Sequence, residues 1–281
     1  MVTCFIKVLM ENSKTLENLK NDPLVLGNLK LSSRILVGTG KYASLEQMRQ
    51  CHRASETEMV TLALRRVPVH LTGEQTANIV DFIDTQKITI LPNTAGAHSA
   101  PEALRMAAMA VELGMKFLKV EVMGDVTTLL PDPIETLKSV EELRKKYTRD
   151  ELFLMVYTSD DPVLAGKLLR AGADAIMPAG SPIGSGRGIQ NKGNMKMILE
   201  IVNGRVPVIL DAGVGCAGDV TLAMELGLDA VLLNTAIAQA DDPVKMAAAM
   251  KHAWIAGRLS WLAGRIPQKL YATASSPELD F

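Results

Sequence analysis

From about residue 24 onward, short apolar runs alternate with longer amphipathic stretches, so a two-residue period and a 3.6-residue period take turns along the chain. The short runs begin with RILVG at 34–38, MVTLAL at 59–64, ITILPN at 88–93 and KFLKVEV at 116–122. LFLMVY at 152–157, DAIMPAG at 174–180, VPVIL at 206–210 and DAVLLN at 229–234 follow, which makes eight strand candidates. Between them, SAPEALRMAAMAVELG repeats apolar residues at three- and four-residue spacing, and Gly114 closes that helix. DDPVLAGKLLRAGA repeats the pattern: Asp160 or Asp161 caps the helix, and Pro162 suits a first turn that needs no N–H. The same device recurs at Asp241-Asp242-Pro243 and opens a last helix, from about 243 to 264, bearing Trp254 and Trp261. That stripe either closes the core or meets a second subunit.

Eight such units in about 250 residues have the rhythm of a closed parallel barrel. The fold class expected is therefore α/β, a (βα)8 TIM barrel with parallel strands, and an open doubly wound sheet is the alternative. Residues 1–23 lack a clear period and end at the turn signal Asn21-Asp22-Pro23, so they are expected to be an N-terminal extension. No proline-rich linker or low-complexity tract divides the remainder, and residues 24–281 are expected to form a single catalytic barrel domain.

Composition narrows the function. With 30 basic and 31 acidic side chains and a net charge of −1, no global field draws the chain to nucleic acid or an anionic membrane. Small-molecule chemistry is expected. The three cysteines, Cys4, Cys51 and Cys216, have neither metal nor redox spacing, and their odd number does not suit a disulfide framework. Lys7 interrupts the apolar start MVTCFIKVLM, and no stretch approaches the ~18 unbroken apolar residues of a spanning helix. A soluble, cytoplasmic protein is expected, or a stromal one if the source is a plastid. His52, His70, His98 and His252 show no paired metal spacing and are expected at ordinary surface or loop positions; neither a metal nor a cofactor is expected.

The fourth strand carries the sharpest chemical signal. Alternation puts Leu118, Val120 and Val122 on one face and Phe117, Lys119, Glu121 and Met123 on the other. The outer face of a barrel strand packs against helices and is apolar, so Lys119 and Glu121 point inward. Burial favours a neutral lysine amine, the form that attacks a ketone, and Glu121 is one inward step away for acid–base work. A buried ion pair or a lysine snorkelling to the rim is the plainer reading. Strand seven ends in Asp211-Ala212-Gly213-Val214-Gly215, which places a carboxylate and close-approach backbone at the catalytic end of a barrel. Strand eight ends in Asn234-Thr235, and loops after strands seven and eight are the usual phosphate cradle of this fold. Gly213, Asn234 and Thr235 are thus candidate phosphate contacts. The cluster Gly180-Ser181-Pro182-Ile183-Gly184-Ser185-Gly186-Arg187-Gly188 after strand six either adds to that cradle or is a surface loop. Arg187 supplies charge there or is solvated. Cys216 has no visible base beside it and reads as structural, while Arg65-Arg66 ends strand two, able to meet an acidic partner or rim salt bridges.

Several ordered words go further: LALRRV, ILPNTAG, FLKVEVMGD followed by LLPDP, YTSDDPVLA, PIGSGRGIQN, DAGVG, AMELGLDAVLLNTAIA and YATASSP. From about Leu26 to Pro277 the chain resembles the thiazole synthases of bacterial and plastid thiamine biosynthesis. The resemblance implies an enzyme joining 1-deoxy-D-xylulose 5-phosphate, dehydroglycine (2-iminoacetate) and sulfur from the thiocarboxylate of a ubiquitin-like carrier protein. It implies a homo-oligomer as well. Lys119 matches the family's Schiff-base lysine; Glu121 and Asp211 match its acid–base carboxylates. Gly184, the Ala212-Gly213 pair and the Asn234-Thr235 pair match its sugar-phosphate contacts. Ala97-His98-Ser99 departs from the family pattern, which has a cysteine and an aromatic residue there, and Asn203-Gly204-Arg205 looks like a short insertion at the bottom of the barrel. Two other functions stay open at this point: an aldolase-like Schiff-base barrel acting on another sugar phosphate, and a non-catalytic pathway scaffold.

Overall fold

A computed structural model describes Leu19 and residues 21–64 and 79–273. It opens on an antiparallel hairpin, β1 (Leu24–Leu26) and β2 (Leu29–Leu31), turned at Gly27-Asn28. The wall that follows comprises β3 (Ile35–Gly38), β4 (Met59–Ala63), β5 (Thr89–Asn93), β6 (Phe117–Val120), β7 (Phe153–Thr158), β8 (Ala175–Pro178), β9 (Ile209–Asp211) and β10 (Ala230–Leu233). These eight strands are parallel in the order β8-β7-β6-β5-β4-β3-β10-β9. Bridges from Ile176 to Val208 and from Ala179 to Asp211 join the two ends. Across that seam the Ile176 N–H donates to the Pro207 carbonyl at 3.0 Å, and the Gly180 N–H to the Asp211 carbonyl at 3.3 Å. The sheet is therefore a closed barrel, and the open doubly wound alternative is set aside.

Strand alternation sorts the apolar residues into two layers. Leu118, Val120, Leu154, Val156, Val231 and Leu233 belong to the outer core, against the helices. Leu36, Met59, Leu91, Met155, Met177 and Ile209 fill the interior together with Leu24, Leu26 and Leu31 of the hairpin. The hairpin thus plugs the end where the strands begin. A Gly-Asn pair between two alternating apolar triplets is a hairpin signal, and the strand reading of the sequence passed over it. Just before it, Leu19 is buried in the outer core, and Asp22 is held by Arg34 and by Arg258 (Nε 2.6 Å). Gly204 and Arg205 line the cleft at this same end, where the insertion was expected.

The helices are α1 (Leu45–Ser55), α2 (Ala100–Glu112), α3 (Pro133–Lys146), α4 (Pro162–Ala171), α5 (Lys192–Val202), α6 (Ala217–Glu225), α7 (Thr235–Ala238) and α8 (Pro243–Ala263). In the second unit the described residues hold one 3-10 turn, Ile79–Phe82. Asp161 rather than Asp160 caps α4, accepting from the Val163 N–H at 2.8 Å, and Asp242 caps α8 in the same way. Trp254 is buried in the outer core, whereas Trp261 is half-exposed beneath the Arg258 guanidinium, 4.3 Å from its ring. Among the described residues no helix is long and apolar enough to cross a membrane.

Helices α6 and α8 meet at Gly257, where an added Cβ would lie 2.5 Å from the Thr221 carbonyl oxygen and 2.6 Å from the Met224 Cβ. Gly257→Ala is expected to lower unfolding stability by about 1–3 kcal/mol, despite alanine's better helix propensity, because overpacking pushes the two helices apart. The urea midpoint is the measurement, and an unchanged or raised midpoint would contradict this contact.

Candidate active site

The barrel's C-terminal mouth opens into a cavity of about 240 Å³. Lys119 projects into it from β6, and Glu121 follows one inward step beyond the strand's end. Thr94 holds that continuation in place. Its hydroxyl accepts from the Glu121 N–H and donates to the Glu121 carbonyl, both at 2.8 Å, and its own N–H donates to the Lys119 carbonyl at 3.1 Å. The parity read from the sequence is thereby preserved past the last ladder pair, Asn93 with Lys119. Asp211 enters from the end of β9, across the barrel.

These three side chains form one buried ion cluster. Lys119 Nζ lies 2.5 Å from Asp211 Oδ2 and 3.4 Å from Glu121 Oε2, with side-chain exposures of 6% for Lys119, 3% for Asp211 and 6% for Glu121. The Tyr157 ring stacks against the same ammonium, 5.1 Å from Nζ, and its hydroxyl donates to the Leu129 carbonyl at 3.4 Å. Burial alone lowers a lysine pKa, which is the basis of the neutral amine expected from the sequence. Here that expectation is corrected: the desolvation is outweighed by Asp211 and then Glu121, and the Lys119 pKa stands above its ordinary value. Burial pushes the Asp211 carboxyl up, partly opposed by the Lys119 charge. The cluster therefore favours the ammonium form of Lys119, with the Asp211 carboxyl, raised by burial, the nearest acceptor for its proton.

The cavity's other side is backbone-rich. Gly184, Ala212, Gly213, Asn234 and Thr235 all line it, so the sugar-phosphate candidates share one space with Lys119, Glu121 and Asp211. Ala212 and Gly213 are successive left-handed residues, at φ 65° and 84°. At Gly213 only glycine fits, because a Cβ would meet the Ser181 N–H nitrogen at 2.5 Å and overlap its hydroxyl. Asn234 donates through Nδ2 to the Gly40 carbonyl at 2.9 Å, and its Oδ1 is buried without a partner. Glycine-bearing loops after β8 and β9, together with Asn234-Thr235 after β10, are what an anionic group of a substrate requires.

Other candidates lie elsewhere. Arg187 is exposed and turns to Gln190 Oε1 at 3.2 Å, outside the cavity. Cys216 is exposed at the start of α6, with Sγ 3.8 Å from Asp219 Oδ2. His98 and His252 are exposed, but His52 is buried on α1, against the expectation of a surface position. It faces the Gly38 carbonyl at 3.5 Å and the edge of Tyr42, and burial pushes its pKa down to about 4. Arg65, Arg66 and His70 lie outside the described residues. Among the described residues, no three His, Cys, Asp or Glu side chains are grouped to hold a metal ion. The sequence reading passed over Lys41, Thr61 and Asn93, which line the cavity, and Tyr157, which contacts Lys119. Inward parity alone would have found Thr61, Asn93 and Tyr157.

Fold and site together define a (βα)8-barrel enzyme with a lysine–dicarboxylate centre at its C-terminal mouth. Residues 25–277 match the family model described as thiazole biosynthesis protein ThiG, and the chain belongs to that family, the thiazole synthases of thiamine biosynthesis. It is 53% identical over 258 residues to a thiazole synthase of Thermodesulfovibrio yellowstonii, covering 92% of this chain and 97% of the relative. A thiazole synthase of Azotobacter vinelandii is also 53% identical, over 262 residues, covering 92% and 96%. Among solved structures, the BexX/CysO complex of Amycolatopsis orientalis matches with a TM-score of 0.76 and 32% identity, covering 89% of this chain and 99% of that one. Family membership replaces the aldolase and scaffold alternatives.

Proposed function

We propose that this cavity builds the thiazole phosphate from 1-deoxy-D-xylulose 5-phosphate, dehydroglycine and sulfur delivered as a carrier-protein thiocarboxylate, through an imine on Lys119. The observation that carries this reading is the buried Lys119–Asp211–Glu121 cluster facing a backbone-rich rim in the same cavity. The proton of the ammonium passes to Asp211 at 2.5 Å, freeing a lone pair on Nζ. Nζ attacks the ketone carbon, water leaves, and a protonated imine remains. A carboxylate then removes the proton from the neighbouring hydroxyl-bearing carbon, and reprotonation moves the carbonyl to that position. The thiocarboxylate sulfur adds at this new carbonyl, the carrier's carbon–sulfur bond breaks to leave its carboxylate, and the carbonyl oxygen departs as water. The nitrogen of dehydroglycine then displaces Lys119 Nζ, and its imine carbon joins the sulfur to close the ring. The phosphate stays in the rim throughout, which holds the chain in register between steps.

A protein partner fits the open mouth, the route by which a flexible carrier tail reaches the bound sugar. The relatedness to BexX, whose solved structure is a complex with CysO, supports such a partner. Residues 1–23 act as an extension of the single barrel domain, and the enzyme works as a homo-oligomer.

The test is chemical trapping. Borohydride reduces an imine to a stable amine, so full-length protein given 1-deoxy-D-xylulose 5-phosphate and borohydride is expected to gain one sugar adduct by intact mass, located on the peptide containing Lys119. Absence of any adduct at saturating ketose phosphate would overturn the imine.

A further inference from the structure

The cavity described above is lined by four ionisable side chains: Lys119, Glu121, Asp211 and Lys41. The first three leave one negative charge in excess, because two carboxylates share one ammonium. A phosphate dianion brought to the glycine rim would meet that excess without a counterion of its own. Lys119 cannot serve, since it is engaged by Asp211 at 2.5 Å. Arg187, the cation that the glycine-rich loop offers in sequence, is exposed, bound to Gln190 and absent from the cavity wall.

Lys41 remains. It follows β3 in a left-handed conformation at φ 67°, a strained placement for a residue with a long side chain. Its ammonium reaches across the mouth: Lys41 Nζ and Thr235 Oγ1 each lie 3.8 Å from the point where a Gly184 Cβ would stand. The loop is tied to the rim as well, because Asn234 Nδ2 donates to the Gly40 carbonyl at 2.9 Å. No described carboxylate forms an ion pair with Lys41, so its charge is uncommitted among the described residues.

We propose that Lys41 is the phosphate counterion of this site, closing a cradle whose other contacts are Gly184, Gly213 and Thr235. The proposal rests on the reading of the cavity as a ketose-phosphate site and adds the residue that selects the phosphorylated sugar. A backbone cradle without a cation would bind the anion by dipoles alone, and the added ammonium supplies a charge-assisted hydrogen bond. Lys41 is itself exposed, at the open mouth of the cavity that it lines.

The experiment titrates 1-deoxy-D-xylulose 5-phosphate against borohydride capture in the full-length wild type, Lys41→Met and Lys41→Arg, and repeats the series with unphosphorylated 1-deoxy-D-xylulose. Lys41→Met keeps the stem and the same backbone strain while removing the charge. Its half-saturating ketose phosphate is expected to rise about 10- to 100-fold with the plateau of adduct on Lys119 unchanged. Lys41→Arg should restore most of the affinity, and with the unphosphorylated sugar all three proteins should coincide. An unchanged half-saturation in Lys41→Met, or an equal loss for both sugars, would overturn the proposal. In a parallel arm, inorganic phosphate should raise the melting temperature of the wild type at lower concentrations than it does in Lys41→Met. If the wild type forms no adduct at all, the imine reading has failed, and the phosphate arm alone decides Lys41: equal phosphate requirement in both proteins sinks it.

Discussion

Lys119→Ala is expected to abolish the borohydride-trapped adduct and to lower turnover by at least ~10³-fold, because no other amine in the cavity is placed to replace the nucleophile. The cavity's other amine, Lys41, lies at the rim, its Nζ 3.8 Å from the point where a Gly184 Cβ would stand. Lys116→Ala is the internal control. That residue is exposed at the opposite end of the same strand, in the cleft beside the hairpin, and its removal should leave labelling intact. Glu121→Gln separates the steps further: it keeps the side chain's shape while removing a proton acceptor, so later proton shifts should slow by ~10²-fold or more while adduct formation persists. Full labelling of Lys119→Ala at another lysine, with turnover preserved, would mean that a different nucleophile does the work.

Asp211→Asn is expected to produce the second large effect, and it is best read against pH. The Lys119 amine is held protonated because two carboxylates outweigh its burial, and Asp211 is the nearer of them. Capture needs the neutral amine, so its rate in the wild type should climb as the pH rises toward the elevated lysine pKa. Removing the Asp211 charge leaves burial opposed by Glu121 alone, which lowers the lysine pKa and moves the rising limb to lower pH. The maximal rate should nonetheless fall by ~10²-fold or more, since the proton acceptor at 2.5 Å is lost with the charge. Stopped capture across a pH series gives both quantities. A rising limb that stayed in place, or moved to higher pH, would show that Asp211 does not set the protonation of Lys119.

The eight barrel strands were legible because each carries its own local signal: a short apolar run bounded by turn residues and followed by an amphipathic helix. Their observed ends differ from the sequence reading by one to a few residues, as at β9, which begins at Ile209 where the apolar run begins at 206. The inward pair Lys119 and Glu121 was equally accessible, because strand alternation is a local geometric rule and the outer face of β6 is wholly apolar. The hairpin was passed over although its Gly27-Asn28 turn is a local signal too. Tyr157 and Asn93 lay on strands already identified, with the right parity, and needed only the same rule applied to β7 and β5.

What the chain determined by itself, then, is everything written in a local pattern: the βα alternation, the parity of each strand, the Asp-Asp-Pro helix starts within which the structure selected Asp161 and Asp242 as caps, and the glycine-bearing loops. Tertiary structure alone decided which distant residues meet. Asp211 stands 92 positions after Lys119, and closure of β8 onto β9 brings it to 2.5 Å, reversing the neutral amine that burial by itself would produce. His52 carried no mark in sequence of its burial behind Gly38, and Lys41 none of its reach toward Gly184. The physical reason is common to all three: a side chain's burial and charge state are set by neighbours in space, and in a barrel those neighbours arrive from the far ends of the chain.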